Sequence, residues 1–281
     1  MGARIGLGLA FALYGLVVLR TAWLSEDAFI TFRTVDNFIN GYGLTWNITE
    51  RVQAYTHPLW MFLVAVCYFW TREIYYTSIL LSLAVSLTAV WIFSRNLAAS
   101  SWAAILGVLA LVSSKAFVDY STSGLENPLT NLLLALFAVL YLRPQGHGHN
   151  SIGMASLFGL ALLNRMDLTL VLGPGMLWVV WLERGRSAGW VAAGLAPFGA
   201  WVVFALFYYG FPFPNTAYAK LGTGVETGEL LAKGIHYVVQ SCRNDPLTPL
   251  ILVASAGLPL ARRDWRVFAL TLGSFFTWPT W

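Results

Sequence analysis

Long apolar runs alternate with polar breaks along this chain, and their spacing predicts the architecture. A helix that crosses a bilayer needs about 20 mostly apolar residues, within a range of about 17 to 25. Runs at 5–24, 76–94 and 189–209 reach that length, and shorter ones at 128–142, 169–183 and 247–261 approach it. Weaker runs lie at 101–117, 151–163 and 267–281. The segment 57–70, HPLWMFLVAVCYFW, has a length expected of a re-entrant or interfacial helix rather than a crossing. Polar stretches separate the runs: two long ones at 25–56 and 210–245, and two short ones at 114–127 and 164–168. Within the first, Ala28, Phe29, Ile30, Phe32, Val35, Phe38 and Ile39 recur at helical spacing, which predicts a surface helix with one apolar side. NGYG at 40–43 ends it in a turn.

Composition fixes the class. Charged residues make up 11% of the chain, against about 25% in a soluble domain. Hydrophobic residues reach 58%, with 13 Trp, 12 Tyr and 18 Phe, and mean hydropathy is +0.65. The expectation is an all-α, polytopic membrane helix bundle with 8–10 hydrophobic segments, running as one domain over residues 1–281. The formal charge of +4 reflects topology and lipid headgroups; no basic run or nucleic-acid motif is present. The first run is too long for a signal-peptide core and reads as a retained anchor. The last run breaks off at FFTWPTW, as a truncated chain would.

Basic residues orient the bundle. Arg143, Arg184, Arg186, Arg262, Arg263 and Arg266 fall in three short loops, and Arg4 precedes the first run. The positive-inside rule places these in the cytoplasm. The four polar stretches then face outward. Parity requires one of 57–70, 76–94 and 101–117 not to cross, and 57–70 is assigned that part, which also leaves Arg95 on the cytoplasmic side.

Candidate chemistry gathers on the outer side. Glu26 and Asp27 stand together where the first run ends. They either stabilise the N-terminus of the next helix or are carboxylates placed for catalysis, and the pair alone leaves both readings open. Cys67 and Cys242 are not a disulfide framework. The GHGH turn at 146–149 lacks the further ligands a metal site needs. No CxxC, Walker A or GxGxxG motif occurs.

The outer loop EDAFITFRTVDNFINGYGLTWNITERVQAYTHPLW, residues 26–60, resembles the first extracytoplasmic loop of GT-C glycosyltransferases. It is most similar to that of the arabinofuranosyltransferases of mycobacterial arabinan and bacterial pilin. Matching positions include Glu26, Asp27, Arg33, Asn37, Gly41, Gly43, Asn47, Glu50, Arg51, Tyr55, Thr56, Pro58 and Trp60, with Glu26 in place of the usual Asp. SGLENPL at 123–129, NRMD at 164–167 and FPNTAYAK at 213–220 continue the resemblance in order, with Met166 where the pattern has Pro.

This resemblance implies a GT-C bundle with outward-facing juxtamembrane helices. It implies an enzyme of the cytoplasmic membrane that moves a sugar from a polyprenyl-phosphate donor to a glycan or protein hydroxyl on the outer face. Its partners would be that donor, the acceptor and the bilayer, without nucleic acid. Asp27 is then the catalytic carboxylate, with Glu26 as its partner. Arg165 and Lys220 hold the donor phosphate. Glu126, Asn215, Tyr218 and His57 bind substrate, His57 by helping with the phosphate. Glu50 and Arg51 form a structural ion pair. No acidic-x-acidic motif is present, so no cofactor or obligatory metal is expected. Against this stand an inactive fragment or scaffold relative, and a transporter or flippase.

Overall fold

The computed structural model describes residues 2–143, 149–183, 188–221, 226–244 and 247–277. His147 of the GHGH turn, Arg184, Arg186 and the final four residues lie outside them. Within the described residues the chain is helical and contains no strand. The helices are α1 (Gly2–Arg20), α2 (Glu26–Ile39), α3 (Pro58–Thr71), α4 (Tyr75–Ile92), α5 (Ser101–Ser113), α6 (Lys115–Asp119) and α7 (Asn127–Leu142). They continue with α8 (His149–Asn164), α9 (Leu168–Leu182), α10 (Ala188–Tyr209), α11 (Asn215–Leu221), α12 (Thr227–Asn244), α13 (Leu247–Ala261) and α14 (Trp265–Thr277). A π-turn, Phe93–Leu97, extends α4. Three stretches, Gly2–Arg20, Tyr75–Leu97 and Ala188–Tyr209, are long and apolar enough to cross a bilayer, and shorter apolar helices fill in around them. The chain is an all-α membrane helix bundle. Helices are the form this composition demands, because a backbone in hydrocarbon must satisfy its own hydrogen bonds.

Contacts between named residues set the direction of each helix. Gly6 lies against Ile105, and the rings of Tyr14 and Phe117 sit 6.0 Å apart, so α5 runs alongside α1 in the same direction. Leu87 lies against Gly15 and Phe93 against Gly107, so α4 runs the opposite way. Both His57, before α3, and Tyr75, at the start of α4, therefore belong to the end of the bundle where α1 finishes. The segment 57–70 stays at that end. It lies beside α2 with the same polarity, Thr31 meeting His57 and Tyr68 meeting Asp36.

The remaining helices return to the same end. α7 leaves it at Asn127 and reaches the far end at Tyr141, whose carbonyl and ring meet Arg266. α8 comes back, and Asn164 bonds Thr130 and the Glu126 carbonyl. α10 finishes where the Tyr209 hydroxyl meets that of Tyr55 at 3.0 Å and the Leu44 carbonyl at 2.8 Å. Small residues allow the closest crossing: Gly159 and Gly194 put the backbones of α8 and α10 in contact beside Ala155. Membrane helices pack this way because lipid gives no hydrophobic drive between them.

Two of the polar stretches are more ordered than their sequence suggested. The long stretch 210–245, read as a loop, carries α11 and the 18-residue α12. Glu50 and Arg51 do not pair with each other: Glu50 takes the Asn47 amide and Arg51 lies over the Tyr208 ring, 4.9 Å from its centroid. Tyr208 comes within reach of the loop because Gly43, at φ +87°, has no side chain to meet its hydroxyl.

Gly124 is the tightest point at this end. Its φ is +77°, and a Cβ there would lie 2.9 Å from both Ala28 Cβ and Leu24 Cδ2. Its carbonyl accepts the Trp60 indole N–H at 2.8 Å, and Ser25 N–H donates to the Ser123 carbonyl at 2.8 Å. Ala28 has no side chain that can swing away. Gly124→Ala should therefore cost about 2–4 kcal/mol, from left-handed strain and overpacking together. A lower unfolding temperature in detergent is the expected result, and an unchanged one would show that the 123–126 loop is not clamped.

Candidate active site

The site is built where α2, α3, α7 and α8 meet. Glu126 precedes α7 but does not cap it with its side chain. Its carboxylate instead turns to His57 Nδ1 at 3.1 Å and Arg165 Nη1 at 3.8 Å. Arg165 follows α8 and grips Asp167 with two bonds, Nε to Oδ1 at 3.0 Å and Nη2 to Oδ2 at 2.6 Å. Asn127 Oδ1 accepts from Nη1 at 3.3 Å. On the other side, His57 Nε2 lies 2.8 Å from the Thr31 hydroxyl. A line of polar contacts thus runs Thr31–His57–Glu126–Arg165–Asp167 through the junction of four helices.

Two cavities share the Glu126–Arg165 pair as a wall. One, of about 310 Å³, is lined by Thr56, Met166, Asp167, Pro214, Thr216 and Ala217 in addition to the pair. The other, of about 340 Å³, lies towards Phe117, Tyr120, Leu125, Asn127 and Asn131. Two larger cavities are almost wholly apolar, one between α8, α9 and α10 and the other beside Gly43, Leu44, Pro58 and Tyr208. They have no charged lining and are not the place for group transfer.

Charge follows from these contacts. Burial holds His57 below its ordinary pKa of 6.5; Glu126 opposes this and Arg165 adds to it. His57 is therefore neutral near pH 7. Its Nδ1 proton faces the Glu126 carboxylate, which leaves Nε2 to accept from Thr31. Burial disfavours the Arg165 charge, but Asp167 and then Glu126 outweigh it, and its pKa is raised.

The predicted residues fall into distinct places. Glu126, Arg165 and His57 come together. Glu26 and Asp27 occupy the first turn of α2. Both are exposed, and among the described residues neither has a hydrogen-bond or ion-pair partner. Asp27 lies one helical turn from Thr31, on the same face of α2, about 6 Å away by helix geometry. The residue next to it, Ala28, packs on Gly124. Asn215 bonds through its backbone N–H to the Gln53 carbonyl at 3.4 Å. Tyr218 is 42% exposed and packs on Phe211. Lys220 lies on α11, whose first turn helps to wall the smaller cavity; its side chain lies outside the description.

For His57, expected to help bind phosphate, the structure gives a place inside the buried cluster. The ring is buried, both nitrogens are engaged, and the group is neutral. Thr31, Asn127 and Asp167 were not singled out from the sequence. Asp167 was in view within NRMD, and its spacing from Arg165 was the available signal.

No family model matches the chain, and no solved structure does. Two curated proteins do match. One is the terminal beta-(1->2)-arabinofuranosyltransferase of Mycobacterium tuberculosis, 29% identical, the match covering 89% of this chain and 43% of that protein. The other, of the same name, is from Corynebacterium glutamicum: 28% identical, over 70% of this chain and 33% of that protein. This chain resembles arabinofuranosyltransferases. The resemblance read from the loop motifs is borne out, and the chain spans less than half the length of the curated relatives it matches.

The neutral His57 makes stability depend on pH. Unfolding frees it to take up a proton at pH values where the folded chain does not. Its contribution is fully present above pH about 6.5 and is lost as pH falls below that value. His57→Gln cannot titrate, so its unfolding temperature should change less than the wild type's between pH 7.5 and pH 5.5, taken as roughly one unit either side of the free imidazole value. Parallel curves for the two proteins would count against a buried neutral imidazole. Thr31→Val, which leaves Nε2 without a donor, should cost about 1–3 kcal/mol at neutral pH.

Proposed function

We propose that this chain is the membrane part of a glycosyltransferase that takes a sugar from a polyprenyl-phosphate donor and passes it to a glycan hydroxyl at the outer face of the membrane. The name of the relatives supports arabinofuranose as the sugar and a beta-(1->2) bond as the product. The observation that carries the reading is the placement of an unpartnered carboxylate, Asp27, with Glu26 beside it, one helical turn from a buried polar cluster flanked by two cavities.

In the proposed step Asp27 removes the proton from the acceptor hydroxyl. The hydroxyl oxygen forms a bond to the anomeric carbon as that carbon's bond to phosphate oxygen breaks. Polyprenyl phosphate leaves with the bonding electrons. Its added negative charge falls to Lys220 and Arg165. Asp167 and Glu126 already offset part of the Arg165 charge. Two cavities with a common wall suit a donor and an acceptor that must meet at one bond.

Asp27→Asn tests the assignment. Asn keeps the size of the side chain and its place at a helix start, but cannot accept the proton. Transfer from a radiolabelled polyprenyl-phosphate sugar, measured in membranes, should fall by a factor of about 10² to 10⁴. The amount of inserted protein should not change. Transfer at the wild-type rate would return Asp27 to a helix-terminal role.

A further inference from the structure

α12 is an amphipathic helix with no extensive packing against another helix among the described residues; Val238 and Cys242 are half-buried and the rest of its apolar face is exposed. Leu231, Ile235, Val238 and Cys242 recur at intervals of four, three and four residues, flanked by Leu230 and Val239. Glu229, Lys233, His236, Gln240 and Arg243 repeat the same intervals on the opposite side. At about 100° per residue this divides the helix into an apolar and a polar face. The apolar face is uncovered: Leu230 is 51% exposed, Leu231 66%, Ile235 58% and Val239 44%.

Its position says what covers that face. α10, an apolar helix of spanning length, delivers the chain to the site end at Tyr209. α14 starts at the far end, where Arg266 meets Tyr141 and Arg143. α13 joins it through the short turn at Arg262 to Asp264, so Leu247 at the other end of α13 is back at the site end. Before α12 comes α11, whose first turn walls a cavity at the site end, and after it comes α13, which begins at the same end. An 18-residue helix, about 27 Å long, that begins and ends at the membrane boundary lies along it. We infer that α12 is a bilayer-surface helix, its apolar face in the acyl boundary and its polar face in water. Helices of this kind bury their apolar side about 5–10 Å deep. Lys233 is paired with Glu229 at 2.7 Å, and burial of the apolar face holds the helix at the boundary. Anchored in this way, α12 fixes the height of α11, whose first residues wall the smaller cavity. The inference stands whether or not the transfer reading holds.

The test uses Ile235→Cys and Gln240→Cys, each in a Cys67→Ser, Cys242→Ser background, labelled with an environment-sensitive dye. The proteins are reconstituted in phosphatidylcholine vesicles. The dye at 235 should be quenched several-fold more by shallow nitroxide-labelled lipid than by aqueous iodide, and the dye at 240 the reverse. High salt should leave this pattern in place. Leu231→Cys and Lys233→Cys repeat the comparison should one label disturb the fold. Iodide quenching at both faces would overturn the inference by placing the helix in water. Quenching of the 235 and 231 dyes by neither agent would overturn it by placing that face under protein.

Discussion

A carboxylate buried at the end of a membrane bundle has to be neutralised or it will not stay charged. Glu126 meets that condition through the Arg165 guanidinium, and the neutral His57 ring adds a hydrogen bond on its other side. The rest of the site end depends on this. His57 begins the segment leading into α3, Arg165 follows α8, and Glu126 itself precedes α7. One side chain thus ties three helices, and the Thr31 hydroxyl adds α2 as a fourth. The loop that carries Glu126 reaches its position because Gly124 turns through a conformation that side-chain-bearing residues rarely adopt and passes within contact distance of Ala28.

The same pairing shapes the chemistry. Arg165 has two acidic neighbours, so it is a weaker anion site than an isolated guanidinium would be. The two exposed carboxylates of α2 show the opposite arrangement: nothing in the described residues offsets them. In the proposed mechanism this contrast separates the roles. The buried cluster holds the junction rigid, and the exposed pair is left to exchange a proton. Rigid support beneath an exposed reactive group is what positioned catalysis needs, since small displacements are expensive in rate.

Lipid influences both the inside and the outside of this fold. Between helices, where apolar burial gives no advantage over lipid, Gly159 and Gly194 bring backbones into contact. At the boundary, α2 and α12 are both strongly two-sided but differ in what they face. α2 is held through Ala28, Thr31 and Asp36 against the 123–124 loop and the α3 segment. α12 has no such partner among the described residues, which is why a surface role is inferred for it and not for α2.

Much of this was legible in the order of residues. Apolar run lengths specify an all-α membrane bundle because hydrocarbon admits no unsatisfied backbone. The spacing of Ala28, Phe32 and Val35 specifies α2, and all three are buried. The motifs around Asp27, Glu126 and Arg165 specify the relationship to arabinofuranosyltransferases. What sequence could not show was the partner of each charge. Whether Glu126 caps a helix or crosses to His57 depends on a contact between residues far apart in the chain, which leaves no periodic trace; the Arg165–Asp167 pair is local, but its residue types alone do not say whether the guanidinium awaits another anion. The type of His57 leaves its charge open near pH 7; burial, with Arg165 nearby, holds it neutral. α12 was hidden for a different reason. Its alternation of charged and apolar residues has the average polarity of a loop, and only its folded helix shows that the two kinds of residue lie on opposite sides.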